Sequence, residues 1–188
     1  RKKRNPGTLP QDAMRAPRVK LRKLRSRTKS SSQWLDRQLN DPYVLAARAA
    51  GYRSRAAYKL TELNERFGFL FKGNRVLELG AAPGAWTQVN VASVGTGNVW
   101  AVDVLPMEPV DGSEFLQLDV LESSAGELIK AALKSSVNVV ESDMAAPSTG
   151  HAGTDHLRTM ALCQAALDIA VAVLAPQGCF VAKVIQGG

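Results

Sequence analysis

Short apolar runs alternate with amphipathic stretches along most of this chain. Residues 75–79 (RVLEL), 98–104 (NVWAVDV), 114–120 (EFLQLDV), 137–143 (VNVVESD) and 179–184 (CFVAKV) read as short buried strands. The first helical pattern, SRAAYKLTELNERF (54–67), opens on Ser54 as N-cap. It places Ala57, Leu60, Leu63 or Asn64, and Phe67 near one face. Further helical stretches fall near 84–94, 122–134 and 154–174. The last sets Leu157, Ala161, Gln164, Ala165, Ile169 and Val173 in register, and Pro176 and Gly178 are expected to end it. Alternation of this kind predicts an α/β fold, a parallel sheet with helices on both faces. Ligands of such sheets sit beyond the carboxyl ends of the strands, where strand order reverses.

Charge divides the chain before it says anything about chemistry. The net charge is +7 over 188 residues, yet residues 1–33 carry twelve Lys or Arg against Asp12 alone, a net +11. The rest carries twelve against sixteen acids, a net −4. The expected organisation is a basic extended arm over 1–33 and one domain over 34–188. Pro6, Pro10 and Pro17 argue against a packed element within the arm. Such an arm suits nucleic acid phosphate, where binding releases counterions. No apolar run approaches the roughly 20 residues that span a bilayer, so no membrane is expected. Cys163 and Cys179 fall in apolar stretches and read as buried thiols of a reducing compartment. The opening RKKRNPGTLP lacks a Met, and its basic, acid-poor character fits the remnant of an organellar presequence or a trimmed start.

Glu78, Asp103, Asp119, Asp143 and Lys183 all stand at or just before a strand's carboxyl end, so a parallel sheet would bring them together. The loop after the first strand, GAAPGAW (80–86), leaves the strand at Gly80 and has a second glycine at Gly84. Pro83 could begin the following helix. The spacing is neither G-x-G-x-x-G nor a phosphate-binding P-loop, which disfavours a polyphosphate cofactor. A cofactor with a ribose but no pyrophosphate fits better. Asp103 could accept from ribose hydroxyls, and Asp119 from an adenine amino group.

LGAAPGAW, AVDVLPMEPV, FLQLDV, SDMAAPSTG and FVAKV, in this order, with DPYVLAARAAGYRSRAAYKLTEL upstream, resemble the FtsJ (RrmJ-like) ribose 2′-O-methyltransferases. The bacterial and mitochondrial branch, which modifies large-subunit ribosomal RNA, is the most similar. The resemblance implies a Rossmann-like class I methyltransferase sheet that uses S-adenosylmethionine, with its C-terminal strands missing from this chain. It carries cofactor binding onto Gly80, Gly84, Trp86, Asp103 and Asp119, with Asp143 nearby. It carries catalysis onto Lys59, Asp143 and Lys183. The family's fourth catalytic residue, a Glu in a later strand, has no counterpart within these 188 residues. The implied substrate is a ribose, of a uridine, in large-subunit ribosomal RNA on a pre-ribosomal particle. The arm over 1–33 would contact that RNA or ribosomal proteins. The mitochondrial matrix is the expected compartment, with the bacterial cytoplasm as the alternative.

The implied chemistry needs these residue types. A 2′-hydroxyl is a weak nucleophile and must lose its proton as it attacks a sulfonium methyl. A lysine serves as base only if burial or neighbouring positive charge lowers its pKa. Asp143 opposes that, so its expected task is to orient Lys183 and the substrate. His151 and His156 lack a further ligand at metal spacing, so no metal is expected; Asp155 and His156 read as helix-start residues.

Three departures from the family pattern stand out. Ala85 replaces the loop's usual second glycine, an extra Ala lies within SDMAAPSTG, and Glu141 occupies what is normally an apolar strand position. A buried acid there must be paired or protonated. With the absent final Glu, these departures leave an alternative, a catalytically silent member of the fold that binds ribosomal RNA during ribosome assembly.

Overall fold

The computed structural model describes residues 41–184 and divides the chain into two units, one ending at Phe67 and one beginning at Gly68. The expected basic arm lies outside the described residues.

The described part of the first unit is a helix pair, α1 (Pro42–Ala49) and α2 (Ala56–Phe67). Asp41 caps α1 by accepting from Tyr43 N at 2.8 Å, and Pro42 takes the first-turn place where a missing N–H costs nothing. Ser54 Oγ accepts from Ala56 N at 3.2 Å, which makes it the start signal expected of α2. Tyr58 packs on Ala46 and Ala47 and meets the rings of Tyr43 and Tyr52 edge to face at 5.9 and 5.8 Å. Phe67, expected on the packed face, is exposed.

The second unit is a five-stranded parallel sheet in the order β3-β2-β1-β4-β5. Its elements are β1 (Val76–Leu79), α3 (Ala85–Val94), β2 (Val99–Asp103), β3 (Ser113–Gln117), α4 (Ala125–Leu133), β4 (Val137–Ser142), α5 (Ala152–Val173) and β5 (Leu174–Ala182). β1 is central and buried along its whole length. Leu77 and Leu79 share a core with Ile129 and Leu133 of α4 and with Ala166, Ile169, Ala170 and Val173 of α5. Each fully buried Leu, Ile or Val side chain of this core contributes about 1.5–3 kcal/mol. The alternate positions of β1 turn to α3, so helices cover both faces as the pattern predicts.

The last helix and strand differ from expectation. α5 stops at Val173 and β5 begins at Leu174, five residues earlier than the apolar run suggests. Leu174 pairs with Val137 and Cys179 with Val139, so the residues between them bulge out of the ladder. Pro176, which cannot donate to a ladder, and Gln177, at φ 66°, lie in that bulge rather than in a turn between helix and strand. The buried stripe of α5 occupies only its C-terminal half, and Leu157 is 70% exposed. By length and apolar composition alone α5 could cross a bilayer, contrary to expectation. Its C-terminal half instead packs on the sheet, and Asp155, Arg158 and Asp168 punctuate it. Cys163 and Cys179 are free thiols, half-buried rather than buried.

Candidate active site

β1 leaves the sheet at Gly80, whose N–H donates to Val102 O at 2.8 Å, as does that of Ala81 at 3.1 Å. Gly80 has φ 82°, and a Cβ there would meet Met144 backbone atoms at 2.8–2.9 Å. Glycine is thus required both by conformation and by the close passage of the chain leaving β4. The Ala82–Pro83 peptide is cis, and Pro83 precedes the helix instead of opening it. Gly84, at φ 101°, caps α3, and its carbonyl accepts from Gln88 N at 3.0 Å. Ala85 is the first residue of α3 and lies outside the left-handed region, so its extra methyl is accommodated.

The loop is held by Asp103 at the end of β2. Asp103 Oδ2 accepts from Ala82 N and Oδ1 from Leu105 N, both at 2.8 Å. One carboxylate therefore ties the two strand exits together, and each oxygen keeps a further lone pair for a ligand. Asp119, beyond β3, accepts from Leu121 N at 2.9 Å, an aspartate turn that fixes its carboxylate.

These groups surround a cavity of about 470 Å³. Gly80, Ala82, Asp103, Asp119 and Asp143 line it, and Val104, Leu105 and Leu121 form an exposed apolar wall. The loop from Met144 to Pro147 closes one side, and Arg158 and Leu162 reach it from α5. Asp155 pins that loop: it accepts from Ser148 Oγ at 2.8 Å, Thr149 N at 2.8 Å and Thr149 Oγ1 at 2.6 Å. These hydrogen bonds hold its carboxyl down at about 2. Asp155 lies in the first turn of α5, as expected, with His151 as the cap.

Asp143, just beyond β4, donates its N–H to Leu79 O at 3.1 Å, and its carboxylate Oδ1 lies 2.5 Å from Lys183 Nζ. Lys183 follows β5, donates its own N–H to Ser142 O at 2.8 Å, and directs Nζ also at Asp143 O at 3.1 Å. Adjacent parallel strands deliver the two residues side by side at the rim of the cavity.

Four of the five strand-end charges thus gather, three on the cavity and Lys183 through Asp143. Glu78 does not. Its side chain turns away beneath α3, where Thr87 Oγ1 donates to it at 2.8 Å and Asn90 Nδ2 at 3.4 Å. Gly84 and Trp86 do not line the cavity; Trp86, the second residue of α3, is 3% exposed. Lys59 is an exposed residue of α2, in the first unit. Sequence reasoning missed the apolar wall and Arg158. The wall residues directly follow Asp103 and Asp119, and Arg158 and Leu162 are one helical turn apart, so spacing alone could have indicated them.

The FtsJ-like methyltransferase family matches residues 52–188. A protein of Parvibaculum lavamentivorans named ribosomal RNA large subunit methyltransferase E is 50% identical over 185 residues, covering 93% of this chain and 73% of its own. One of the same name from Paramagnetospirillum magneticum is 50% identical over 191 residues, covering 98% and 78%. Among solved structures, a Plasmodium falciparum protein described as a ribosomal RNA methyltransferase superposes with a TM-score of 0.65 at 28% identity. That match covers 73% of this chain and 80% of the other.

Proposed function

Because the chain belongs to the FtsJ-like methyltransferase family, we propose that it moves a methyl group from S-adenosylmethionine to a ribose 2′-hydroxyl of a uridine in large-subunit ribosomal RNA. The observation that carries this reading is the Asp143–Lys183 pair at the rim of a cavity whose far side holds Asp103 and Asp119.

The residues present suit the cofactor. Asp103, with both oxygens oriented by backbone N–H groups and lone pairs to spare, is an acceptor for vicinal ribose hydroxyls. Asp119, which lines the cavity with Leu105 and Leu121, offers an acceptor in apolar surroundings, which suits adenine. Gly80 and Gly84 keep the loop free of side chains at its two turns. S-adenosylmethionine would supply an electrophilic methyl on a positively charged sulfur.

Lys183 and Asp143 act on the acceptor. The Asp143 contact fixes Nζ at the carboxyl edge of the sheet, where the ammonium can hold the 2′-hydroxyl and, once it has released a proton to solvent, the neutral amine can accept the hydroxyl's proton during attack. Asp143 orients Lys183 through both its carboxylate and its carbonyl. Holding hydroxyl and methyl in line supplies the remaining acceleration. Lys59 is the third residue of the proposed set. Arg158, a cation on the cavity wall, suits a phosphate of the RNA. Residues 1–33, at net +11, would bind ribosomal RNA or ribosomal proteins of an immature particle. The relatives compared are bacterial, which favours the bacterial cytoplasm over the mitochondrial matrix.

Labelled methyl transfer from S-adenosylmethionine to large-subunit RNA, naked and within immature particles, tests this reading by nucleoside analysis of the product. The expected product is 2′-O-methyluridine, formed faster on particles. Cofactor binding without transfer, or methylation of a base, would refute it and favour the assembly-factor alternative.

A further inference from the structure

Glu78 of β1 and Glu141 of β4 are register partners in adjacent parallel strands, 1% and 0% exposed. Among the described residues no cation joins either of them, and α3, which covers them, has no charged side chain. Asn90 and Thr87 of α3, both fully buried, supply the hydrogen bonds instead. Asn90 Nδ2 donates to Glu141 Oε2 at 2.8 Å. The other half of each of these two groups, Asn90 Oδ1 and Glu141 Oε1, is buried without a partner. Both orphan acceptors belong to side chains already joined by one hydrogen bond, and one proton shared between them would satisfy both.

We propose that Glu141 is held as a neutral carboxylic acid that closes a cyclic acid–amide pair with Asn90, and that this pair positions the cofactor loop against Asp143. Glu141 Oε1–H donates to Asn90 Oδ1 while Asn90 Nδ2–H donates to Glu141 Oε2, so every polar atom of the pair is matched. The pair joins α3, whose first residues continue the 80–84 loop, to β4 two residues before Asp143. Glu78, two residues before Gly80, is drawn into the same cluster through Asn90 and Thr87. The inference rests on the cavity being the cofactor site.

The electrostatics agree. Burial pushes Glu141 up to about 8 against the pull of Asn90, and burial and Glu141 push Glu78 well above the usual carboxylate range. The titratable groups around the pair are Glu78 from β1, Cys179 from β5, whose thiol burial and Glu141 push up, and Asp143 just beyond β4 with the Lys183 that pairs with it. Burial is what raises Glu141, and Glu141 in turn raises Glu78 and Cys179.

Calorimetric titration with S-adenosylmethionine across the pH range around 8, on the full chain and on Glu141→Gln, tests the proposal. A glutamine amide can make the same two hydrogen bonds and cannot ionise. The wild type is expected to lose about tenfold in affinity relative to Glu141→Gln as pH rises through about 8, with equal affinities near neutrality. Infrared spectra of the ligand-free protein supply the second readout. A protonated-carboxyl band near neutral pH should weaken in Glu141→Gln and fade in the wild type at alkaline pH. Superimposable pH profiles, or identical infrared bands in the two proteins, would overturn the proposal while leaving the methyltransferase reading intact. Absence of cofactor binding at every pH would instead remove the reading on which the positioning role depends, and the infrared comparison alone would then decide whether the neutral acid exists.

Discussion

A methyl group on Gly80 would lie 2.7 Å from Met144 Cγ and 2.8 Å from Met144 N. The exits of β1 and β4, which carry the 80–84 loop and Asp143, therefore touch at backbone distance. Gly80→Ala adds both a left-handed penalty at φ 82° and an overlap with backbone that cannot rotate away. It should cost about 2–4 kcal/mol of stability, read as a lowered urea midpoint. A midpoint unchanged by the substitution would contradict this close approach.

Asp103→Asn replaces one accepting oxygen by an amino group that faces a backbone N–H, of either Ala82 or Leu105. The two loops should come apart locally, and affinity for S-adenosylmethionine should fall about ten- to hundredfold, measured by calorimetry. Retained affinity would mean that Asp103 neither holds the loop nor meets the ligand.

Stability should fall as pH rises from the acid side toward 8. Glu141 ionises near its ordinary 4.5 in the unfolded chain and near 8 when folded, so the folded state binds the extra proton between those values. Over that window each such group costs about 1.4 kcal/mol per pH unit, and the loss levels off above the folded value. Thermal unfolding of the wild type and of Glu141→Gln at a series of pH values should show the steeper decline in the wild type.

Asp155 carries the opposite sign. Its carboxyl is held down at about 2, so its contribution is present above the ordinary carboxylate range and is lost as pH falls toward 2. Asp155→Ala should free the loop over 144–150 at neutral pH. Limited proteolysis should then cut that loop several-fold faster, with unchanged cleavage elsewhere.

The central strands were legible because buried strands are short, mostly apolar runs, as in 76–79 and 137–140, each broken by a single polar residue, Glu78 and Asn138. The cavity's aspartates followed from the rule that ligands sit beyond the carboxyl ends. β5 was half legible: Pro176, Gln177 and Gly178 carry the chemistry of a turn, and only pairing with β4 shows them as a bulge. Helical periodicity gave α5 but not which half meets the sheet, a matter of where neighbouring strands end. Glu78 was misplaced because strand-end acids were grouped by sequence position alone. Strand alternation sends Glu78 to α3 with Glu141, and only the pairing of β1 with β4 makes the two neighbours. Trp86, which the resemblance made a cofactor contact, is a buried residue of α3 that does not line the cavity.

Single-turnover methyl transfer to large-subunit ribosomal RNA by Lys183→Ala, at saturating S-adenosylmethionine, tests the central claim most directly. The rate should fall about 10²–10⁴-fold below wild type while cofactor affinity stays within about threefold, the outcome expected of the proposed contact between Lys183 and the acceptor rather than the donor. A rate within a few-fold of wild type would contradict the assignment of Lys183 and Asp143 to the transfer.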